Sequence, residues 1–126
     1  MSCLFNSLSH FIPQTDQQAI RQRICDYLQA NSQIIDGMTT HDVLQLDSSN
    51  SSDHYISTMR NPSTCGGAIE IQAACNIWIA RIMVHDIRMG HGHGQPIEFL
   101  PVATITPDKT FELEWSGGHY EPRRQT

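Results

Sequence analysis

The sequence predicts an α+β fold, with helices first and a small sheet after them. Apolar residues recur at intervals of three and four up to about residue 78, the spacing that gives a helix one apolar face. Beyond residue 80 the pattern changes to short apolar runs and to alternation of apolar with acidic residues, which is typical of strands. Helices followed by strands indicate an α+β domain with an antiparallel or mixed sheet.

Length and composition fit one globular domain. The chain has 126 residues, of which 39% are hydrophobic and 17% charged, enough for a single core. No apolar run approaches the roughly 20 residues that span a membrane, and no secretory signal is visible. A formal net charge of -5 disfavours a nucleic-acid binder, which needs clustered Lys and Arg. We therefore expect a cytoplasmic protein with no nucleic-acid and no membrane partner.

Two helices are predicted in the first part of the chain. The first starts just after Cys3 and is closed by Pro13. The second begins with a capping box, in which Thr15 is the cap and Gln18 its reciprocal partner. Asn31 is the expected stop of this second helix.

Three more helices are predicted before the sheet. A short helix is expected over residues 42–46, followed by a polar surface loop over residues 47–53. Helical periodicity resumes over residues 55–59. The Gly66-Gly67 pair then opens the last helix.

Four strands are predicted in the second part. Residues 82–84 form a short apolar run, and residues 97–100 lie between two prolines, which indicates an edge strand. Residues 111–115 alternate between apolar and acidic side chains, as in a half-buried strand. Gly117-Gly118 forms a turn, and residues 119–121 begin the final strand.

The four cysteines fall into different settings. None forms a CxxC pair, and Cys25 and Cys75 lie among apolar residues at helical spacing, so we expect both to be buried and inert. This use of cysteine suggests a reducing compartment. Cys3 directly precedes an amphipathic helix, whose unpaired N–H groups and partial positive charge favour a thiolate.

A nucleophilic thiolate needs a histidine to hold the ion pair and to protonate a leaving amine. His119 follows a glycine pair at the end of a strand, and Glu121 lies on the same side of an extended segment. A carboxylate there can orient the imidazole. On spacing alone this is a weak signal, and a buried thiol with a surface histidine is the alternative.

Four blocks of the sequence resemble the OTU (ovarian tumour) family of cysteine deubiquitinases. They occur in the family's order and span nearly the whole chain: residues 2–9 (SCLFNSLS), 20–24 (IRQRI), 65–73 (CGGAIEIQA) and 115–121 (WSGGHYE). The third block is similar to the family's Trp-Gly-Gly-x-x-Glu-Leu-Gln-Ala segment, and the fourth to its terminal strand, which ends in His-Tyr-Asp.

The resemblance implies an OTU fold and hydrolysis of isopeptide bonds after the C-terminal glycine of ubiquitin, without a metal or organic cofactor. It implies that Cys3 is the nucleophile, His119 the general base and Glu121 the acidic third member. Backbone N–H groups near Ser2 and Cys3 would hold the oxyanion. The expected partner is ubiquitin or polyubiquitin, with a ubiquitin-like modifier as the alternative.

The sequence departs from the family pattern at three places. The Asp-Gly that precedes the cysteine is absent, so we expect residues 1–126 to be one OTU-like domain lacking the family's residues before Cys3. Cys65 stands where Trp is usual, and Glu121 replaces Asp. These departures keep two alternatives open, which are a catalytically impaired ubiquitin-binding module and a structural protein that retains the fold.

His91 and His93 lie in a glycine-rich segment and raise a separate possibility of metal binding, because imidazoles bind zinc, copper or nickel. The segment lacks the further ligands that a specific site needs, so we expect a mobile loop and no metal. Contact of this loop with ubiquitin is a hypothesis.

Overall fold

The computed structural model describes residues 3–47, 52–87, 95–102, 106–117 and 119–123. Its helices are α1 (Cys3–Ser9), α2 (Gln17–Gln29), α3 (Thr40–Asp47), α4 (Ser52–Met59) and α5 (Ala68–Trp78). Its strands are β1 (Gln33–Ile35), β2 (Met38–Thr39), β3 (Arg81–Asp86), β4 (Ile97–Phe99), β5 (Thr110–Trp115) and β6 (Tyr120–Pro122). The predicted α+β class is confirmed.

The main sheet has four strands in the order β4-β3-β5-β6. The central strands β3 and β5 are parallel, whereas β4 and β6 pair antiparallel with their neighbours, so the sheet is mixed. Ile82 lies opposite Phe111 and Val84 opposite Leu113, and all four side chains are buried on one face. Strand β4 lies at an edge, as its flanking prolines predict.

The core fills the space between this sheet face and the helices. Helix α1 packs on α2 and on strand β6, while α5 packs on α2 and β3. The side chains that are at most 1% exposed include Leu4, Phe5, Leu8, Ile20, Ile24, Leu28, Ile71, Ala74, Ile82 and Leu113. Because both ends of the chain contribute to this core, α1 is held firmly against the last strand.

The start of α2 differs from the prediction. The predicted capping box of Thr15 and Gln18 is wrong, because the N-cap is Asp16, whose carboxylate accepts a 2.8 Å hydrogen bond from the N–H of Ala19. Both Thr15 and Asp16 are residue types that cap helices, and the carboxylate of Asp16 is the group that reaches the free N–H. The predicted stop is confirmed, since Asn31 adopts a left-handed φ of 56°.

The predicted surface loop over residues 47–53 is too long at both ends. Helix α3 extends to Asp47 and α4 already begins at Ser52, while residues 48–51 lie outside the described residues. The pattern also missed the small sheet of β1 and β2, which are too short to show alternation. Among the described residues, no helix combines the length and apolar character that crossing a membrane requires.

Candidate active site

Helix α1 fixes the backbone of Cys3, which is its first residue. The next two side chains, Leu4 and Phe5, are completely buried, as is Leu8 one turn later. The first turn of α1 contains no acidic residue, whose negative charge would offset the partial positive charge of the helix N-terminus. The side chain of Cys3 lies outside the described residues, so its predicted role as nucleophile stays a prediction.

A tight hairpin presents His119. Strands β5 and β6 pair in antiparallel register, with Trp115 opposite Tyr120. The N–H of Ser116 donates to the carbonyl of His119 at 3.1 Å, which closes the loop. Gly117 adopts a φ of 107°, a conformation that side chains rarely tolerate, so a glycine is needed there. The turn predicted at this glycine is confirmed.

His119 and Glu121 are in contact, as their period-two spacing predicts. Nε2 of His119 lies 3.2 Å from Oε1 of Glu121. The two side chains are 51% and 62% exposed, so water weakens the attraction between them. With Nε2 facing the carboxylate, Nδ1 is the ring nitrogen that can meet a thiolate. The pair therefore orients the imidazole, although its catalytic role stays a prediction.

A contact between the two ends of the chain joins the two halves of the site. The hydroxyl of Ser7 in α1 donates a 3.0 Å hydrogen bond to the carbonyl of Tyr120 in β6, across 113 residues of sequence. Ser7 is only 1% exposed, and a buried hydroxyl with a partner is costly to disturb. Helix α1, which begins at Cys3, is thus packed on the strand that follows His119.

The segment before α5 lies directly against α1. A Cβ atom at Gly66 would stand 2.6 Å from Cδ2 of Leu4, so any larger residue requires Leu4 or the segment to shift. Beside it is a cleft of about 510 Å³, lined in part by Cys65, Gly66 and Glu70. Cys65 is exposed. The departure from the family pattern at residue 65 therefore lies at this cleft.

Glu70 is a buried acid that was not among the candidate residues predicted from the sequence. Its Oε2 accepts a 2.7 Å hydrogen bond from the hydroxyl of Tyr55, and its Oε1 accepts a 2.7 Å hydrogen bond from the N–H of Gly67. Because Gly67 has no side chain, only this half of a capping box is present. Burial raises the pKa of Glu70, although both hydrogen bonds oppose the shift. The spacing Gly-x-x-Glu was the available signal.

Two of the other cysteines are unsuited to catalysis. Cys25 and Cys75 are completely buried, which confirms that prediction. Burial raises the pKa of Cys25 to about 11 and that of Cys75 to about 12, so neither supplies a thiolate at neutral pH.

Metal ligands are not clustered in the part of the chain that the structure describes, where no group of three or more His, Cys, Asp or Glu could hold an ion. His91 and His93 lie outside the described residues, so the hypotheses about that segment stay untested.

A family model described as OTU-like cysteine protease matches residues 2–117, a range that includes Cys3 and ends just before the His119 segment. A search of curated protein sequences finds no match.

Solved OTU domains share the fold. The OTU domain of OTUD1 is 15% identical with a TM-score of 0.69, and the match covers 95% of this chain and 77% of that one. An OTU domain solved in complex with ubiquitin is 20% identical with a TM-score of 0.71, over 96% of this chain and 62% of that one. The viral OTU domain protease of Dera Ghazi Khan virus is also 20% identical with a TM-score of 0.71, over 95% and 72%. Because the family model matches residues 2–117 of the 126 residues, this chain belongs to the OTU-like cysteine protease family.

Proposed function

We propose that this chain is a deubiquitinase, a thiol isopeptidase that hydrolyses the bond after the C-terminal glycine of ubiquitin. Its family supports cysteine protease chemistry. One OTU domain of the same fold was solved in complex with ubiquitin, which supports ubiquitin as the partner. The substrate is ubiquitin or polyubiquitin, with a ubiquitin-like modifier as the alternative, and the proposed location is the cytoplasm.

The proposed reaction has two steps. The Cys3 thiolate attacks the glycine carbonyl, backbone N–H groups near Ser2 and Cys3 stabilise the oxyanion, and His119 gives its proton to the departing lysine amine. A water molecule, deprotonated by His119, then attacks the thioester, and the Cys3 thiolate leaves. Glu121 keeps the imidazole oriented and stabilises its charged form.

The observation that carries this proposal is the contact of His119 Nε2 with Glu121 Oε1 on a strand packed against α1. A carboxylate at one ring nitrogen leaves the other for the nucleophile, which is the relation a thiol–imidazole pair requires.

A ubiquitin bearing a C-terminal thiol-trapping group tests the proposal, with the adduct read as a mass shift. We expect one adduct that disappears in Cys3→Ala. Cys65→Ser is the matched control, because Cys65 is an exposed cysteine and its loss should leave the adduct intact. An adduct that persists in Cys3→Ala, or one lost in Cys65→Ser alone, would contradict the assignment of Cys3.

A ubiquitin-binding module with little or no turnover is the second candidate. The exposure of both His119 and Glu121 favours it, because an exposed hydrogen-bonded pair orders a ring less strictly than a buried one. Ubiquitin binding to the folded protein without adduct formation would support this candidate against the deubiquitinase.

A further inference from the structure

Arg21 is a buried cation held by backbone carbonyls. Its side chain is 0% exposed, and burial lowers the pKa of the guanidinium. Nη1 donates to the carbonyl of Met59 at 2.5 Å, and Nη2 donates to the carbonyls of Pro62 and Thr64 at 3.2 and 2.7 Å. A planar guanidinium can reach three carbonyls of one turn at once, which an ammonium group on a flexible stem cannot do in the same way.

Arg21 also contacts the helix that begins at Cys3. Its guanidinium carbon lies 4.2 Å from the centre of the Phe5 ring, in a cation–π arrangement. Phe5 is completely buried and stands two residues after Cys3. The side chain of Arg21 in α2 therefore contacts both the first turn of α1 and the turn that ends at Thr64.

That turn continues directly into the segment that supports α1 from another side. Two residues after Thr64, Gly66 lies against both Leu4 and Phe5. The first turn of α1 is thus enclosed by the Arg21 guanidinium and by the segment that Arg21 holds in place.

A contribution to the free energy of unfolding does not by itself explain why Arg21 is buried. Nε of Arg21 is buried, and within the described part of the chain it has no hydrogen-bond partner. Burying a cation with an unsatisfied donor is costly, and apolar residues of similar volume often serve a core as well or better. A buried Arg21 is instead explained if the position of α1, which begins at Cys3, must be exact even at some cost in the free energy of unfolding.

We infer that Arg21 is a positioning residue for the nucleophile, acting through the Phe5 ring and the turn of residues 59–64. This inference rests on the proposed function, because it concerns the placement of Cys3. Catalysis depends steeply on such placement, since a shift of about 1 Å at a reacting atom can reduce the rate by about 100-fold.

The test compares Arg21→Lys with Arg60→Met in cleavage of a ubiquitin fused to a fluorescent leaving group. Arg60 is the matched control, because it also joins the end of α4 to α2. Its side chain does so through Gln22, Asp26 and Gln29, and none of these three hydrogen bonds involves α1. We expect kcat to fall by about 100-fold in Arg21→Lys with little change in KM. Arg60→Met should lower Tm without lowering kcat.

A double-mutant cycle with Phe5→Leu measures whether the kcat losses of the two variants are additive, which a loss of stability alone would not decide. If Arg21 acts through the ring, the kcat losses of Arg21→Lys and Phe5→Leu overlap, and the double variant is no slower than the slower single variant. Phe5→Leu also serves alone if Arg21→Lys does not fold, and it should then lower kcat by at least about 10-fold with KM unchanged.

The outcomes separate this inference from the function it rests on. Wild-type protein that forms no adduct through Cys3 would remove the proposed function itself. An active wild type in which Arg21→Lys keeps its kcat, or loses only as much as Arg60→Met, would overturn the inference while leaving the function standing. Fully additive losses in the cycle would overturn the route through Phe5.

Discussion

Gly66 approaches Leu4 so closely that a Cβ atom on it would stand 2.6 Å from Leu4 Cδ2. We expect Gly66→Ala to reduce the free energy of unfolding by about 1–3 kcal/mol, because the added methyl group overpacks a buried contact. The measurement is urea unfolding of the purified variant.

Gly67→Ala is the matched control for that substitution. Its Cβ would meet only Glu70 Oε1, at 3.9 Å, so the loss should be limited to the weaker capping ability of alanine, on the order of 0.5 kcal/mol. Equal stability of the two variants would show that α1 yields easily at Leu4.

Asp16 caps helix α2. We expect Asp16→Ala to lower the free energy of unfolding by about 1 kcal/mol, because the N–H of Ala19 then loses its acceptor. Thermal unfolding of Asp16→Ala and Thr15→Ala side by side is the measurement. A larger loss in Thr15→Ala than in Asp16→Ala would reinstate Thr15 as the cap.

Glu70 makes stability depend on pH. Because its folded-state pKa is raised, the folded protein binds more protons than the unfolded chain between the ordinary pKa of a glutamate and the raised value. The contribution of Glu70 is therefore most favourable below the unfolded pKa and declines as pH rises through the folded one. We expect the Tm of wild type, relative to Glu70→Gln, to increase as pH is lowered from neutrality.

Thermal unfolding of wild type and Glu70→Gln over the same pH series is the measurement. A Tm difference between wild type and Glu70→Gln that is independent of pH, or that grows with rising pH, would count against the raised pKa.

The Glu121 carboxylate should matter for turnover and little for folding. We expect Glu121→Gln to lower kcat/KM by about 10-fold to 100-fold, less than the roughly 10⁴-fold loss in a buried triad, because the pair is exposed. Its Tm should stay close to that of wild type. Cleavage of a fluorogenic ubiquitin substrate measures the first quantity and calorimetry the second.

The same sheet offers a second histidine–glutamate pair for comparison. His85 lies on β3 and Glu112 on β5, and Nε2 of His85 is 3.1 Å from Oε1 of Glu112. This pair does not include His119, so its loss leaves the contact of His119 with Glu121 in place. Glu112→Gln should therefore retain the activity of wild type, and an equal loss in both variants would point to a general effect of charge on the sheet.

The sequence predicted the fold class and most elements because helical periodicity and strand alternation are local properties. Pairing of strands is not local, and the sequences of β3 and β5 contain no signal that the two strands run parallel. The choice between Thr15 and Asp16 as helix cap likewise depends on the geometry of the turn after Pro13. The edge position of β4 was predictable because prolines exclude a central strand.

In the candidate site too, contacts between residues close in sequence could be predicted, whereas contacts that depend on tertiary folding could not. The contact of His119 with Glu121 follows from the period of an extended strand, and the structure contains it. Arg21 could not be recognised as a buried polar residue, because its carbonyl partners belong to residues 59–64, which only tertiary folding brings near. For Glu70, the Gly-x-x-Glu spacing indicates the contact with Gly67 but not the one with Tyr55. The roles of Cys3, His119 and Glu121 stay predictions.

The hydrogen bond between Ser7 and Tyr120 has a consequence for biosynthesis. A ribosome makes Tyr120 some 113 residues after Ser7, so α1 lacks its strand partner while the residues between them are translated. Closing so long a loop comes late in folding, because its entropy must be overcome before the contact stabilises anything. We therefore expect α1 of a nascent chain to remain undocked until synthesis has passed Tyr120, and folding to be completed only after the last strand is available.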